Sequence, residues 1–279
     1  MTPKIVRTLN ELRAETLAWR KAGLTQAVVP TMGALHDGHL RLVTEGLARA
    51  DRVTATIFVN PRQFAAHEDL GRYPRDEEAD VAKLGGAGAH LVFAPPPEVI
   101  YPQGFATTVS LTGPAKAGLE DRFRPLFFDG VATVVAKLFN ETGADYAMFG
   151  EKDYQQLMVV ARMAQDLDMQ VQVIGVATER EEDSLAMSSR NAYLSAVERL
   201  LAPAMFRSLN KAASAIRAGR AANVATAAAR RSLRAAGFRV DYVAARHALT
   251  LTEPQPGDPI RLLAAAWLGK TRLIDNIAV

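Results

Sequence analysis

Gln26-Ala27-Val28-Val29-Pro30 runs directly into Thr31-Met32-Gly33-Ala34-Leu35-His36-Asp37-Gly38-His39, and an apolar-periodic stretch follows to Ala50. The first segment is short and apolar, as a buried strand is. The last places Leu40, Val43 and Leu47 on one side, which is helical spacing. Strand, glycine-containing loop and helix in that order make half of a βαβ unit. Working outward, the alternation recurs. Residues 53–59 read as a buried β-branched strand stopped by Asn60-Pro61, 77–84 as a helix, and 90–93 as a strand before the breaker Pro95-Pro96-Pro97. Asp129 reads as the cap of a helix over 131–139. Residues 145–149 then read as strand, 153–167 as helix and 171–177 as strand. Short strands alternating with helices of about ten residues or more predict an α/β fold with a parallel sheet and right-handed crossovers.

On the N-terminal side, residues from Met1 to Trp19 mix Lys4, Arg7, Glu11 and Glu15 with apolar residues and read as an amphipathic helix, not a signal segment. Thr8-Leu9-Asn10-Glu11 is a capping box for a helix to about residue 22, ended by Gly23. Beyond Ala177 the texture changes. Residues 179–183 are highly charged, and Ser195-Ala196-Val197-Glu198 is a second capping box. Two Ala-rich helices, about 196–218 and 221–236, precede strand candidates at 239–244, 260–268 and 273–277. A boundary near Glu179 divides the chain into domains 1–178 and 179–279, with no internal repeat.

A length of 279 residues fits two domains, and 49% hydrophobic with 23% charged residues excludes fibrous and disordered classes. The absence of cysteine removes disulfides, thiolate metal sites and any Cys nucleophile together. Basic residues number 33 against 30 acidic, and the densest basic run, Arg230-Arg231 with Arg234, reads as a solvated helix face. Charge therefore does not indicate nucleic-acid binding. No apolar run approaches the ~18 residues a membrane span needs.

Four segments carry candidate chemistry. In Thr31–His39, two glycines let the backbone approach a ligand, and a helix start offers N–H groups and a positive dipole end to phosphate. His36 and His39 can face the same anion; the pair also reads as two turn histidines, one capping the helix. Asn60-Pro61-Arg62-Gln63 offers amides that can orient a small polar substrate, or an Asx turn ending the strand. Gly150-Glu151-Lys152-Asp153 repeats the phosphate logic with a positive charge, or is a solvated turn. Met187-Ser188-Ser189-Arg190-Asn191 sets two hydroxyls beside an Arg, a clamp for phosphate oxygens, or is a Ser-rich interdomain loop. All four follow the carboxyl ends of predicted parallel strands, where open α/β sheets bind ligands. Their combined content suits a polyphosphate plus a small polar acid. There is no Walker-type P-loop and no Gly-x-Ser-x-Gly elbow.

In this order, with Phe58-Val59 before the second segment, Tyr154-Gln155-Gln156 after the third and Leu185-Ala186 before the fourth, the segments closely resemble the pantothenate synthetase (pantoate–β-alanine ligase) family over nearly the whole chain. His-x-Gly-His alone marks only the wider nucleotidylyltransferase superfamily. The resemblance implies ATP-dependent condensation of (R)-pantoate with β-alanine through a pantoyl adenylate, releasing pyrophosphate and AMP. It implies a Rossmann-like N-terminal domain, a smaller C-terminal α+β domain acting as a lid, Mg²⁺ with the ATP, and a cytoplasmic homodimer with small-molecule substrates. Carried over by motif, Met32, Gly33, Ala34, Leu35, His36, Asp37, Gly38 and His39 hold ATP, with His39 as proton donor and His36 beside it. Lys152, Ser188, Ser189 and Arg190 neutralise phosphate charge, and Gly150, Glu151, Asp153 and Met187 lie with the nucleotide. Gln63, Gln156 and Asn60 serve pantoate, Gln63 also β-alanine. Asp80 and Asp153 are both candidate neighbours of Mg²⁺, and metal ligands are otherwise open.

The chain departs from the family's usual pattern in three places. Leu126-Phe127-Phe128 stands where Gly-His-Phe is usual, Asp183-Ser184-Leu185 where Asp-Gly-Leu is usual, and Glu179 where an apolar residue is usual. The phosphate residues are whole, so the departures bear on pantoate handling and loop geometry. Two other readings remain at this point. One is a different nucleotidylyltransferase of the His-x-Gly-His group. The other, supported only by Leu126-Phe127, is a catalytically weakened nucleotide-binding relative.

Overall fold

A computed structural model of the chain describes residues 2–64, 69–71 and 73–279. Its strands β1 (Lys4–Val6), β2 (Gln26–Thr31), β3 (Arg52–Ile57), β4 (Leu91–Phe93), β5 (Tyr146–Gly150) and β6 (Gln172–Val176) form one sheet in the order β1-β4-β3-β2-β5-β6. Every pairing is parallel. The helices of this part are α1 (Leu9–Lys21), α2 (Asp37–Leu47), α3 (Glu77–Gly86), the short α4 (Pro97–Ile100) and α5 (Glu120–Phe123), α6 (Phe127–Thr142) and α7 (Tyr154–Asp166). The sheet is buried because its strands are apolar on both faces: Val28, Val29, Val53 and Ala55 are fully enclosed. On α2, a Cβ at Gly46 would stand 3.2 Å from Val53 Cγ2, so the glycine lets this helix lie close on β2 and β3. From β2 the chain moves outward to β3, and from β5 it moves the opposite way to β6. The neighbours β2 and β5 thus flank the reversal point of the strand order, where such sheets open a crevice at their carboxyl ends.

The remaining helices, α8 (Ala196–Leu201), α9 (Ala204–Arg217) and α10 (Ala222–Ala235), precede an antiparallel sheet of β7 (Arg239–His247), β8 (Ile260–Leu268) and β9 (Thr271–Ala278). Ala212, Ala213, Ala225 and Ala229 are buried between α9, α10 and the sheet, with Leu209 and Leu233 filling the larger gaps. The chain divides into two compact units, Met1–Gly150 with Gln156–Val176, and Glu151–Gln155 with Ala177–Val279.

Three expectations are corrected. Lys4–Val6, read as part of an amphipathic helix, is a strand parallel to β4 (Met1 lies outside the described residues). The helix expected over 196–218 is two helices, because Pro203 lacks the N–H that would continue the ladder. Asp129 does not cap α6 but lies in its first turn, with Leu126 at the cap position. Its side chain accepts a hydrogen bond from Ser110 Oγ at 2.8 Å. Both capping boxes form as read, at Thr8 and at Ser195.

Candidate active site

The loop after β2 is held by α3. Asp80, 2% exposed, accepts from the backbone N–H of Ala34 and of Leu35, each at 2.8 Å. Lys83, one turn further along α3, donates to the Leu35 carbonyl at 2.7 Å. Gly33 takes φ +79°, and a Cβ there would meet Asp80 Oδ2 at 2.9 Å, so glycine is required twice over. Ala34 takes φ +52°, a left-handed geometry costly for a side chain and sustained here by the two bonds to Asp80. The backbone donors of 34 and 35 are therefore spent inside the protein. Those that the segment can offer to an anion lie at the start of α2, whose first turn has no internal acceptors.

His36 takes extended backbone at the head of α2, and His39 lies in its first turn. His39 Nδ1 accepts from the His36 N–H at 3.3 Å, which puts the proton of the neutral ring on Nε2 and makes that atom a donor. The two rings are 4.1 Å apart, so the pair faces one small region, as the motif predicts.

Gln63 is set by a chain of directed bonds. Tyr101 O–H donates to Asn60 Oδ1 at 2.8 Å, and the Arg62 N–H donates to the same oxygen. Burial pushes the Tyr101 phenol up to about 12, so it stays a donor. Asn60 Nδ2 then donates to Gln63 Oε1 at 3.0 Å and to the Gly130 carbonyl at 3.1 Å. Gly130 admits this approach: a Cβ on it would lie 2.3 Å from the Arg62 carbonyl oxygen. What remains is Gln63 Nε2, whose partner is Met32 Sδ at 3.1 Å. A thioether is a weak acceptor that a substrate oxygen readily displaces. The first and second motifs thus meet at Met32 and Gln63.

Phe127, where the departure lies, stacks on Arg124, whose guanidinium carbon is 3.6 Å from the ring centre. Arg124 in turn donates to the Gln63 carbonyl at 3.1 Å. Leu126 is 73% exposed and touches none of this network.

In the second unit, Glu151–Asp153 is a 3-10 turn and Lys152 lies beside Asp153, Nζ to Oδ2 3.6 Å. Its carbonyls are taken by Asn276 of β9. The neighbouring Asp275 holds Arg180 through two bonds of 2.8 and 2.9 Å, and Arg180 also donates to the Ser184 carbonyl. That bond fixes the turn leading to the fourth motif, where Ser188 caps the 3-10 helix Ser189–Tyr193. Ser184 itself takes φ +75°. Gln155 is buried and Gln156 half-buried, both on α7.

Asp80, with both oxygens bonded to backbone, does not serve as a metal ligand. Asp153 is exposed. Among the described residues no three His, Asp or Glu side chains are grouped to hold a metal ion. Sequence reasoning misses Tyr101, Gly130, Arg261, Asp275 and Asn276. Weak signals existed in a lone glycine within an apolar helix and an Asp-Asn pair within an apolar strand.

A family model described as pantoate-beta-alanine ligase matches residues 4–278. The pantothenate synthetase of Rhodopseudomonas palustris is 54% identical over 279 residues, covering 99% of each chain. Pantothenate synthetase 2 of Bradyrhizobium diazoefficiens is 55% identical over 280 residues, covering 100% of this chain and 99% of its own. Among solved structures, the enzyme of Thermus thermophilus superposes with a TM-score of 0.91 at 45% identity, covering 98% of both chains. The ligase of Francisella tularensis, complexed with beta-gamma ATP and beta-alanine, superposes with a TM-score of 0.83 at 28% identity, covering 99% of this chain and 97% of its own.

Proposed function

The chain belongs to the pantoate-beta-alanine ligase family, and from that premise we propose how its residues make the amide. The enzyme is a ligase that joins pantoate to β-alanine at the expense of ATP. In the first step a pantoate carboxylate oxygen attacks the α-phosphorus of ATP, the bond to the β-phosphate breaks, and pyrophosphate leaves. In the second the amine of β-alanine attacks the acyl carbon, the bond to AMP breaks, and the amine gives up its proton. Neither step needs a protein nucleophile, so catalysis is positioning and charge stabilisation.

His39 offers Nε2–H to phosphate oxygens as charge moves onto them, with His36 and the first-turn N–H groups of α2 beside it. Lys152, Ser188, Ser189 and Arg190 supply the remaining positive and donor groups. Gln63 turns its Nε2–H from Met32 Sδ to a pantoate oxygen and later meets β-alanine; Gln156 also serves pantoate. Asn60 is 1% exposed with its amide fully engaged, so it acts through Gln63. The observation that carries the reading is this Gln63 donor, oriented by four residues yet paired only to a thioether, beside the His36–His39 pair at the reversal point of the sheet. The Francisella relative's complex with beta-gamma ATP and beta-alanine supports both substrate classes. The relatives carry the ligase's name, so the reading as a weakened relative is dropped.

Mg²⁺ suits this site only as an ion carried on nucleotide phosphates, keeping several waters and taking one carboxylate at most. Asp153 is that carboxylate, since Asp80 is spent; bound there, the ion neutralises phosphate charge. The homodimer and the cytoplasmic location rest on the family resemblance. No helix among the described residues is long and apolar enough to cross a membrane.

The test omits each substrate in turn. ATP with pantoate alone is expected to give pyrophosphate without free pantothenate, ATP with β-alanine alone neither product, and all three AMP and pantothenate. AMP release that ignores pantoate would overturn the reading.

A further inference from the structure

Lys152 sits in a turn of three residues, and such a turn has little internal strength. Its shape is imposed from β8 and β9, more than a hundred residues later in the chain. Asn276 Nδ2 donates to the carbonyl of Glu151 at 2.8 Å and to that of Lys152 itself at 2.9 Å. Arg261 Nε donates to Asn276 Oδ1 at 2.7 Å. A guanidinium only donates, so this bond fixes which end of the Asn276 amide is oxygen and which is nitrogen. The second arm of Arg261 reaches Glu151 Oε2 at 2.9 Å, and its plane lies 4.1 Å from the Tyr154 ring centre. The Asn276 N–H is itself held by Asp275 Oδ1 at 2.7 Å. Asn276 is 3% and Arg261 9% exposed.

We propose that Asn276, oriented by Arg261, is the positioning residue of Lys152, fixing the backbone from which its ammonium reaches the phosphates during adenylation. The proposal rests on the reading of Lys152 given above. Two buried polar side chains are directed at one short turn, and that turn carries a cation belonging to the reaction. Structural support alone would need neither the double capture of adjacent carbonyls nor the fixed amide orientation.

The experiment compares Asn276→Ala and Asn276→Asp with the unsubstituted enzyme. Asp keeps the shape but replaces the donor with an acceptor, so it serves if the Ala variant folds poorly. Two rates are measured on one preparation: pantoate-dependent exchange of pyrophosphate into ATP, and conversion of supplied pantoyl adenylate with β-alanine to pantothenate. Their ratio is independent of how much enzyme is folded. Adenylation is expected to fall about ten- to a hundredfold, the scale of misplacing a catalytic group by up to ~1 Å, with the second step changed by less than about threefold. In a Lys152→Ala background the Asn276 substitution is expected to add less than about twofold, because both act through one group. Equal loss in both steps, or a full multiplicative loss on top of Lys152→Ala, would overturn the proposal. Unchanged adenylation in Lys152→Ala alone would overturn the assignment of Lys152, and this proposal with it.

Discussion

Ser184 occupies a left-handed turn at φ +75°, held by its own N–H to the Glu181 carbonyl at 2.8 Å and by Arg180 on its carbonyl. An L-residue there costs ~1–2 kcal/mol, while glycine gives back ~0.5–1 kcal/mol in unfolded-chain entropy. Ser184→Gly is therefore expected to stabilise by up to ~1 kcal/mol and raise Tm by about 2–4 °C, checked by thermal unfolding. An unchanged or lower Tm would show that the turn is not strained. The sequence marks this position as a departure, and the structure supplies its physical content. Phe127 is the other such residue. From the sequence it appears as a lost polar ring; in the fold its face carries Arg124, which holds the Gln63 backbone. A cation over an aromatic face at a partly exposed site contributes ~0.5–1 kcal/mol. Phe127→Leu keeps apolar bulk and removes that face. The pantoate KM is expected to rise about two- to fivefold, with the ATP KM nearly unchanged. Steady-state kinetics decide it, and a shift confined to ATP would assign Phe127 to the nucleotide side.

Among the elements, α6 combines a functional contact with a latent instability. Gly130 near its start lets the helix press on the Asn60–Gln63 turn. Near its end Glu141 is 5% exposed, with both carboxylate oxygens buried and Lys137 Nζ no nearer than 3.5 Å. Burial holds the Glu141 carboxyl above its ordinary 4.5, with Lys137 and Arg13 opposing only in part. A raised folded-state value means that this group favours the folded state below about pH 4.5, and that the benefit is lost as pH rises through the folded value. Glu141→Gln is thus expected to raise Tm at pH 7, with the gain shrinking as pH falls toward 4.5. A pH-independent difference would show that the carboxyl is already well solvated. Element boundaries were legible wherever local chemistry set them: both capping boxes, and the alternation of strands with helices. They were illegible where distant pairing decided. Lys4–Val6 is three residues long, half exposed, and a strand only because Leu91–Phe93 lies beside it.

At the scale of the whole molecule, the sequence showed which segments carry chemistry, because glycines, histidines and amides at strand ends are unusual locally. What orients them was hidden. Tyr101 acts on Asn60 across 41 positions, and Asn276 on Lys152 across 124, distances at which no local periodicity survives. The same whole-chain view bears on mechanism. The sequence holds no cysteine, and no side chain of the proposed site is asked to bond to the acyl group. The Lys152, Ser188 and Arg190 groups are assigned to phosphate charge, and Gln63 is an amide. If pantoate attacks phosphorus with its own carboxylate, that oxygen must stay with the phosphate when the amide forms. Pantoate carrying heavy oxygen in both carboxylate positions is therefore expected to place one labelled atom in AMP and leave one in pantothenate, while the intact mass of the quenched protein is unchanged. Mass spectrometry of the three species reads all of this at once. Unlabelled AMP would mean that ATP is split by water instead, and a protein carrying the pantoyl mass would mean that a side chain intervenes after adenylation. Either result would reassign the cations and amides described above from positioning two substrates to supporting a nucleophile of the protein's own.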